Sequence, residues 1–174
     1  MAFERVVAPL QERMTRCIWR VVRHGEDTED VLQESLVKIL AKMREVERHP
    51  NPQAFILRIC LHSALDHLRR GRSRRQALDG LREVRLTGLA HPPADESLIH
   101  EERRTLLMDA LTRLPDRQAE AMALLVGEEL NYAEVAAAMG CREATVRGMV
   151  WKARRRLRAE LAGQGFALSE ETRP

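Results

Sequence analysis

The sequence predicts an all-α protein: two small helical domains joined by a flexible linker, the C-terminal one containing a helix-turn-helix. Three observations carry this. Apolar residues recur at helical spacing through most of the 174 residues, with almost no strand-like alternation. From about Gly71 to Ser97 that periodicity fades, and Gly80, Gly88, Pro92 and Pro93 punctuate a stretch too long for an ordinary loop. Residues 131–158 then spell two helices about a glycine turn. The expected division is a first domain over 1–75, a linker over 76–97, a second domain over 98–162 and a frayed tail over 163–174.

The elements follow in order. Val6 to Val22 reads as a first helix that Gly25 ends. Asp27 is placed to cap a second, which runs to about Met43 on the apolar set Val31, Leu32, Leu36, Ile39, Leu40 and Met43. His49-Pro50-Asn51-Pro52 must break it, because prolines remove donors and push the preceding residues to extended shapes. A third helix from about Gln53 carries Phe55, Ile56, Leu57, Ile59, Leu61, Leu65 and Leu68 on several faces, so it belongs in the middle of a bundle. A weak helix can form over Gln76 to Val84. The second helical unit starts near Leu98 and runs through Leu106, Leu107, Ala110, Leu111 and Leu114. Pro115-Asp116 ends that helix and starts a short one holding Met122, Leu125 and Val126, and Gly127 leads on to the helix-turn-helix.

In the helix-turn-helix, Asn131 is a helix cap and Glu134, three residues on, completes a capping box. Small Ala136 lets the second helix approach, and Gly140 supplies the turn where a positive φ is cheap. On the second helix Val146, Met149, Val150, Ala153 and Leu157 form the buried stripe. Arg147, Gly148, Trp151, Lys152 and Arg155 fall on another side and suit a nucleic-acid groove. The competing reading of the arginines is a solvated helix end that complements the dipole, and that of Trp151 is a ring folded over its own helix.

Net charge is only +3, but the charges are segregated. Arg69, Arg70, Arg72, Arg74 and Arg75 lie together without an acid, and so do the bases from Arg147 to Arg158. Glu26, Asp27, Glu29, Asp30 and Glu34 crowd one helix start. Two basic patches and an acidic one imply nucleic acid touched twice and a different, protein partner for the acidic face, which DNA would repel. Cys17, Cys60 and Cys141 are odd in number and lack metal or disulfide spacing, so reduced thiols in apolar helical patterns are expected. No signal region or membrane span is evident, which makes the expected compartment the cytoplasm and excludes membrane insertion. Histidines and carboxylates form no catalytic constellation and there is no phosphate loop, so neither an enzyme, a metal nor a cofactor is expected.

Taken together, these motifs resemble the sigma-70-type initiation factors of bacteria, in their small extracytoplasmic-function (ECF) group. Thr28 to Glu34 is similar to the family's acidic motif, Asn51 to Ile59 with Leu65 to Arg70 to the helix facing the −10 promoter element, and Leu114 to Gln118 with Tyr132 to Leu157 to the reader of the −35 element. The resemblance covers about residues 3–75 and 98–161. It implies promoter-directed initiation with core RNA polymerase, met through its β′ clamp helices and β flap, the clamp helices facing Asp30, Gln33 and Glu34. It implies a −10 DNA face of Asn51, Asp66, His67, Arg69, Arg70, Arg72, Arg74 and Arg75, with the loop Glu45 to Pro52 taking a flipped-out base. It implies a −35 reader of Arg142, Thr145, Arg147, Trp151, Lys152 and Arg155, and control by an anti-sigma factor. Arg142 stands where the family's usual cap residue precedes the recognition helix. Gly148-Met149 replaces the common Ser-Arg, and Leu40 a tryptophan. The alternative is a stand-alone helix-turn-helix regulator with a sensing or dimerising first half. A DNA-processing enzyme would need a nucleophile or carboxylate metal cluster that the sequence does not offer.

Overall fold

The computed structural model describes the backbone of residues 2–82 and 96–162 and the side chains of 3–74 and 104–162. Among these residues every regular element is helical. In order they are α1 (Ala2–Val7), a 3-10 turn (Ala8–Leu10), α2 (Gln11–Val22), α3 (Gly25–Ala41), α4 (Met43–Arg48), α5 (Pro52–Arg82), α6 (Glu96–Arg113), α7 (Asp116–Met122), a π-helical turn (Ala123–Gly127), α8 (Tyr132–Met139) and α9 (Glu143–Ala162).

Several boundaries differ from the sequence expectation for identifiable reasons. Pro9 cannot donate within a helix, and the expected first helix is divided there by the 3-10 turn. The stop before α3 is Arg23 at φ 59°, whose amide donates to the Trp19 carbonyl, rather than Gly25, which starts α3. Asp27 lies in the first turn of α3 and is not its cap; that position is held by His24, whose carbonyl accepts from the Thr28 hydroxyl at 2.7 Å. Met43 opens α4 instead of closing the helix before it. The third expected helix continues through Gly71 as far as Arg82, into the stretch assigned to the linker. The remainder of that stretch over 83–95 and the tail over 163–174 lie outside the described residues.

α5 is the axis of the molecule. Ala54, Phe55, Ile56, Leu57, Ile59, Cys60, Leu61, Ala64 and Leu65 along it are all buried. It packs against α2, α3 and α4, and also against α7, α8 and the π-turn. Met14, Cys17, Ile18 and Val21 of α2, Val31 and Ile39 of α3, and Val46 of α4 complete the core of the first unit. In the second unit Val146, Val150, Ala153, Leu157 and Leu161 of α9 pack on α6, α7 and α8, with Ala110, Leu114, Ala119, Val135 and Met139 facing them. Fully burying one such Leu or Ile contributes about 1.5–3 kcal/mol. Met149 of the expected stripe is only partly buried, at its edge. Buried hydroxyls find partners: Ser35 donates to the Val31 carbonyl one turn back at 2.7 Å, and Ser63 of α5 accepts from Lys38 Nζ of α3 at 3.0 Å.

Candidate nucleic-acid interface

The helix-turn-helix is built as its sequence directs. Asn131 Oδ1 accepts from the Glu134 amide at 2.9 Å and Glu134 Oε2 from the Asn131 amide at 2.9 Å, so the capping box is complete. Gly140 takes φ 59°, and the chain enters α9 through Arg142, whose carbonyl accepts from Thr145 and Val146. Arg142, Thr145, Arg147, Trp151, Lys152 and Arg155 are exposed together. Two of them are already oriented. Arg147 is held by Glu143 Oε1 at 2.6 Å, with its guanidinium 4.3 Å from the Tyr132 ring centre. Trp151 is 60% exposed, and Arg155 lies 5.6 Å from its ring, a cation–π arrangement. The large aromatic therefore stands on the open polar face, available to a groove.

On α3, Asp30 and Gln33 are exposed, while Glu34 is half-buried between Lys38 at 2.7 Å and Arg70 at 3.1 Å. The Lys38 hydrogen bond, joined by that from Arg70, holds the Glu34 carboxyl below the usual carboxylate range. Val37 and Leu40 are also exposed, at 68% and 59%. Leu40 was expected inside, and Val37 was not singled out. With Asp30 and Gln33 they follow the spacing 30, 33, 37, 40, so the acidic face carries an apolar margin. That spacing was readable in the sequence, but an apolar residue on a bundle helix is assigned to the core by default.

The residues expected on the −10 face are dispersed by their partners. Asn51 Oδ1 accepts from the Ala54 amide at 3.0 Å, acting as the N-cap of α5. Asp66 lies between His62 at 3.1 Å and Arg69 at 3.3 Å. Arg69 also reaches Asp116 at 2.9 Å and the carbonyls of Thr112 and Leu114. Arg72 donates to the Asp109 carbonyl and the Thr112 hydroxyl, both at 3.4 Å. His67 approaches Asp27 at 3.6 Å, Arg70 turns to Glu34, and Arg74 is exposed. The Arg75 side chain lies outside the described residues. Sequence reasoning gave no role to Glu120 and Glu128, two carboxylates of the second unit with 4% side-chain exposure.

Comparison with known proteins assigns this geometry to a family. The model of sigma-70 region 2 matches residues 6–83, and that of sigma-70 region 4 matches residues 104–157. An ECF RNA polymerase sigma factor, SigC of Mycobacterium tuberculosis, is 31% identical over 82% of this chain and 76% of its own length. The chain belongs to the ECF group of sigma-70 factors. A similar protein, the RNA polymerase sigma-E factor of Streptomyces coelicolor, is 28% identical over 99% of this chain and 95% of its own length. The same fold is found in CnrH, solved with the cytosolic domain of CnrY, at a TM-score of 0.55 and 19% identity over 92% of this chain and 88% of that one. As a sigma factor, the protein acts in transcription initiation with RNA polymerase, and its helix-turn-helix is the DNA-binding part of region 4. A stand-alone regulator is set aside on the same grounds, since both sigma regions are present in order. Among the described residues of this sigma factor, no helix is long and apolar enough to cross a membrane. None of their His, Cys, Asp and Glu side chains gather in threes to hold a metal.

Proposed function

We propose that this sigma factor works as two DNA-reading domains, divided by a linker over about residues 76–97, on one polymerase-binding subunit without catalytic activity of its own. Asp30, Gln33 and Glu34 meet the β′ clamp helices of core polymerase, flanked by Val37 and Leu40, and the second domain meets the β flap. Asn51, Asp66, His67, Arg69, Arg70, Arg72, Arg74 and Arg75 serve the −10 element, by phosphate contact and by capture of one unstacked base beside the loop Glu45 to Pro52. Arg142, Thr145, Arg147, Trp151, Lys152 and Arg155 serve the −35 element. The protein acts in the cytoplasm, and an anti-sigma factor controls it. Solved relatives crystallised with anti-sigma partners include the sigma factor RpoE of Bartonella quintana with NepR.

The observation that carries this reading is the charge separation: an exposed acidic helix face on α3 and an exposed basic face with an oriented arginine on α9. A single surface cannot serve both a basic protein and DNA, whereas two can. The test is binding of purified core polymerase to the wild type and to the double variant Asp30→Lys/Glu34→Lys. The reading expects the variant to lose core binding while keeping wild-type helical content. Unchanged core binding by a folded double variant would remove α3 as the polymerase face.

A further inference from the structure

Arg147 is held from two sides by the protein itself. Glu143, the first residue of α9, accepts at Oε1 from Arg147 Nε at 3.2 Å and from Nη2 at 2.6 Å. Tyr132, the first residue of α8, places its ring centre 4.3 Å from the guanidinium carbon, within cation–π reach. The start of α8 is fixed in turn by the Asn131–Glu134 capping box, and α9 follows the left-handed turn at Gly140. The backbone that carries Tyr132 and Glu143 is therefore set by the same local signals that build the helix-turn-helix.

These contacts use one side of the guanidinium and leave the rest. Of the five N–H donors of an arginine, the one on Nε and one on Nη2 go to Glu143, which leaves three at the outer end of the fork. That outer edge is the one that pairs with O6 and N7 of a guanine. As a stabiliser of the fold the ion pair is weak, because its side chains are 56% and 43% exposed and such pairs on a helix surface add little. A carboxylate beside the reading side chains also repels phosphates, so it lowers the general affinity for DNA. Its place in the first turn of α9 complements the helix dipole, but that gives no reason for the Tyr132 contact. Orientation of Arg147 accounts for both.

We propose that Glu143 and Tyr132 are positioning residues for Arg147, holding its fork toward the −35 groove so that one guanine is read and other bases are refused. The inference rests on the proposed −35 assignment of Arg147. Two differences separate a held arginine from a free one. A free side chain loses its rotamer freedom on meeting the base, a loss that the held one has already taken in the fold. Opposite a wrong base, a free side chain swings aside to a phosphate, whereas the held one leaves its donors unpaired, which costs affinity. Holding Arg147 therefore raises discrimination rather than general affinity.

The test uses the full chain assembled with core polymerase and a pool of promoter duplexes randomised across the −35 segment. Sequencing the bound DNA gives a preference at each base position, and Arg147→Ala identifies the position that Arg147 reads. Glu143→Ala should lower the preference at that same position by roughly two- to tenfold. It should leave the other positions unchanged and bind the whole pool no more weakly than the wild type. Placed on top of Arg147→Ala, it should change preference no further. Glu143→Gln, which keeps an acceptor oxygen, should retain more of the preference than Glu143→Ala. Tyr132→Phe should match the wild type, whereas Tyr132→Leu, which keeps apolar bulk without a ring, should lose preference at the same position. Circular dichroism and Tm are recorded for every variant, and if Tyr132→Leu unfolds, the Glu143 series decides alone. A Glu143→Ala protein whose preference is intact, or lowered evenly at all positions, would overturn the positioning role and leave the −35 assignment standing. An Arg147→Ala protein with unchanged preference at every position would overturn both.

Discussion

Replacing Gly140 with alanine isolates the backbone geometry on which the −35 reader depends. Gly140 has φ 59° and ψ 44°, and a Cβ added there would meet nothing within 4 Å. Steric collision is therefore removed from the account, leaving only the left-handed backbone, which costs an L-residue about 1–2 kcal/mol. The unfolded chain of the variant is also stiffer, which returns about 0.4–1 kcal/mol. The net expectation is a loss of about 1 kcal/mol. That corresponds to a fall in Tm of about 4–8 °C if the second unit melts by itself, or about 2–4 °C if the whole chain melts as one. Gly140→Asn should lose less, because asparagine visits this region more readily. The assay is thermal unfolding followed by circular dichroism on the wild type and both variants. An alanine variant as stable as the wild type, or an asparagine variant less stable than the alanine one, would refute the reasoning. Since the added methyl at Gly140 would meet nothing within 4 Å, DNA preference below the melting range should stay as in the wild type.

Other expectations follow from the same structure. Arg147→Ala should lower discrimination among −35 sequences by about 1–3 kcal/mol at the base it reads, whereas Arg74→Ala should weaken DNA binding evenly and flatten its salt dependence; equal losses on every sequence for Arg147→Ala would contradict the placement of α9. Burial, above all, pushes the Cys17 thiol well above its ordinary range and the Cys60 thiol up to about 12. In the native protein at neutral pH both should resist alkylation, which mass spectrometry reads directly, and both should react once the chain is unfolded. Phe55 is the one non-histidine aromatic between Glu45 and Arg75, and it is buried. With few stacking platforms, each worth roughly 1–3 kcal/mol per base, the protein should melt DNA weakly and lose activity steeply when either promoter element is altered. Robust transcription from promoters lacking one element would count against that account.

What the sequence made legible was local or periodic. The Asn131–Glu134 capping box, the Gly140 turn, the α9 stripe and the break at Pro50 to Pro52 each depend on residues within a turn or two of one another. α5 was legible as a bundle centre because its apolar residues from Ala54 to Leu65 fall on several faces of the helix, and these are buried. The misplacements have physical causes too. Gly25 was the expected helix stop, but Arg23 takes the left-handed position, a conformation rare for a long side chain and set here by the tertiary structure. The pairing of Glu120 and Glu128 could not be read at all. Both look like surface residues in sequence, and the arginines that bury them lie 62 to 115 positions away. For Arg69 and Arg72, the sequence supplies residue type and helical face, while their partners Asp116, Thr112 and Asp109 come from the second unit.

The central claim is that this chain, by itself, gives core RNA polymerase the ability to choose a promoter. It is tested most directly by adding the purified protein to sigma-free core polymerase with a genomic DNA library and sequencing the 5′ ends of the RNA made. The account predicts discrete start sites sharing two upstream motifs at a fixed spacing, with the upstream motif's preference altered when Arg147→Ala replaces the wild type. Start sites no more focused than those of core polymerase alone would contradict it.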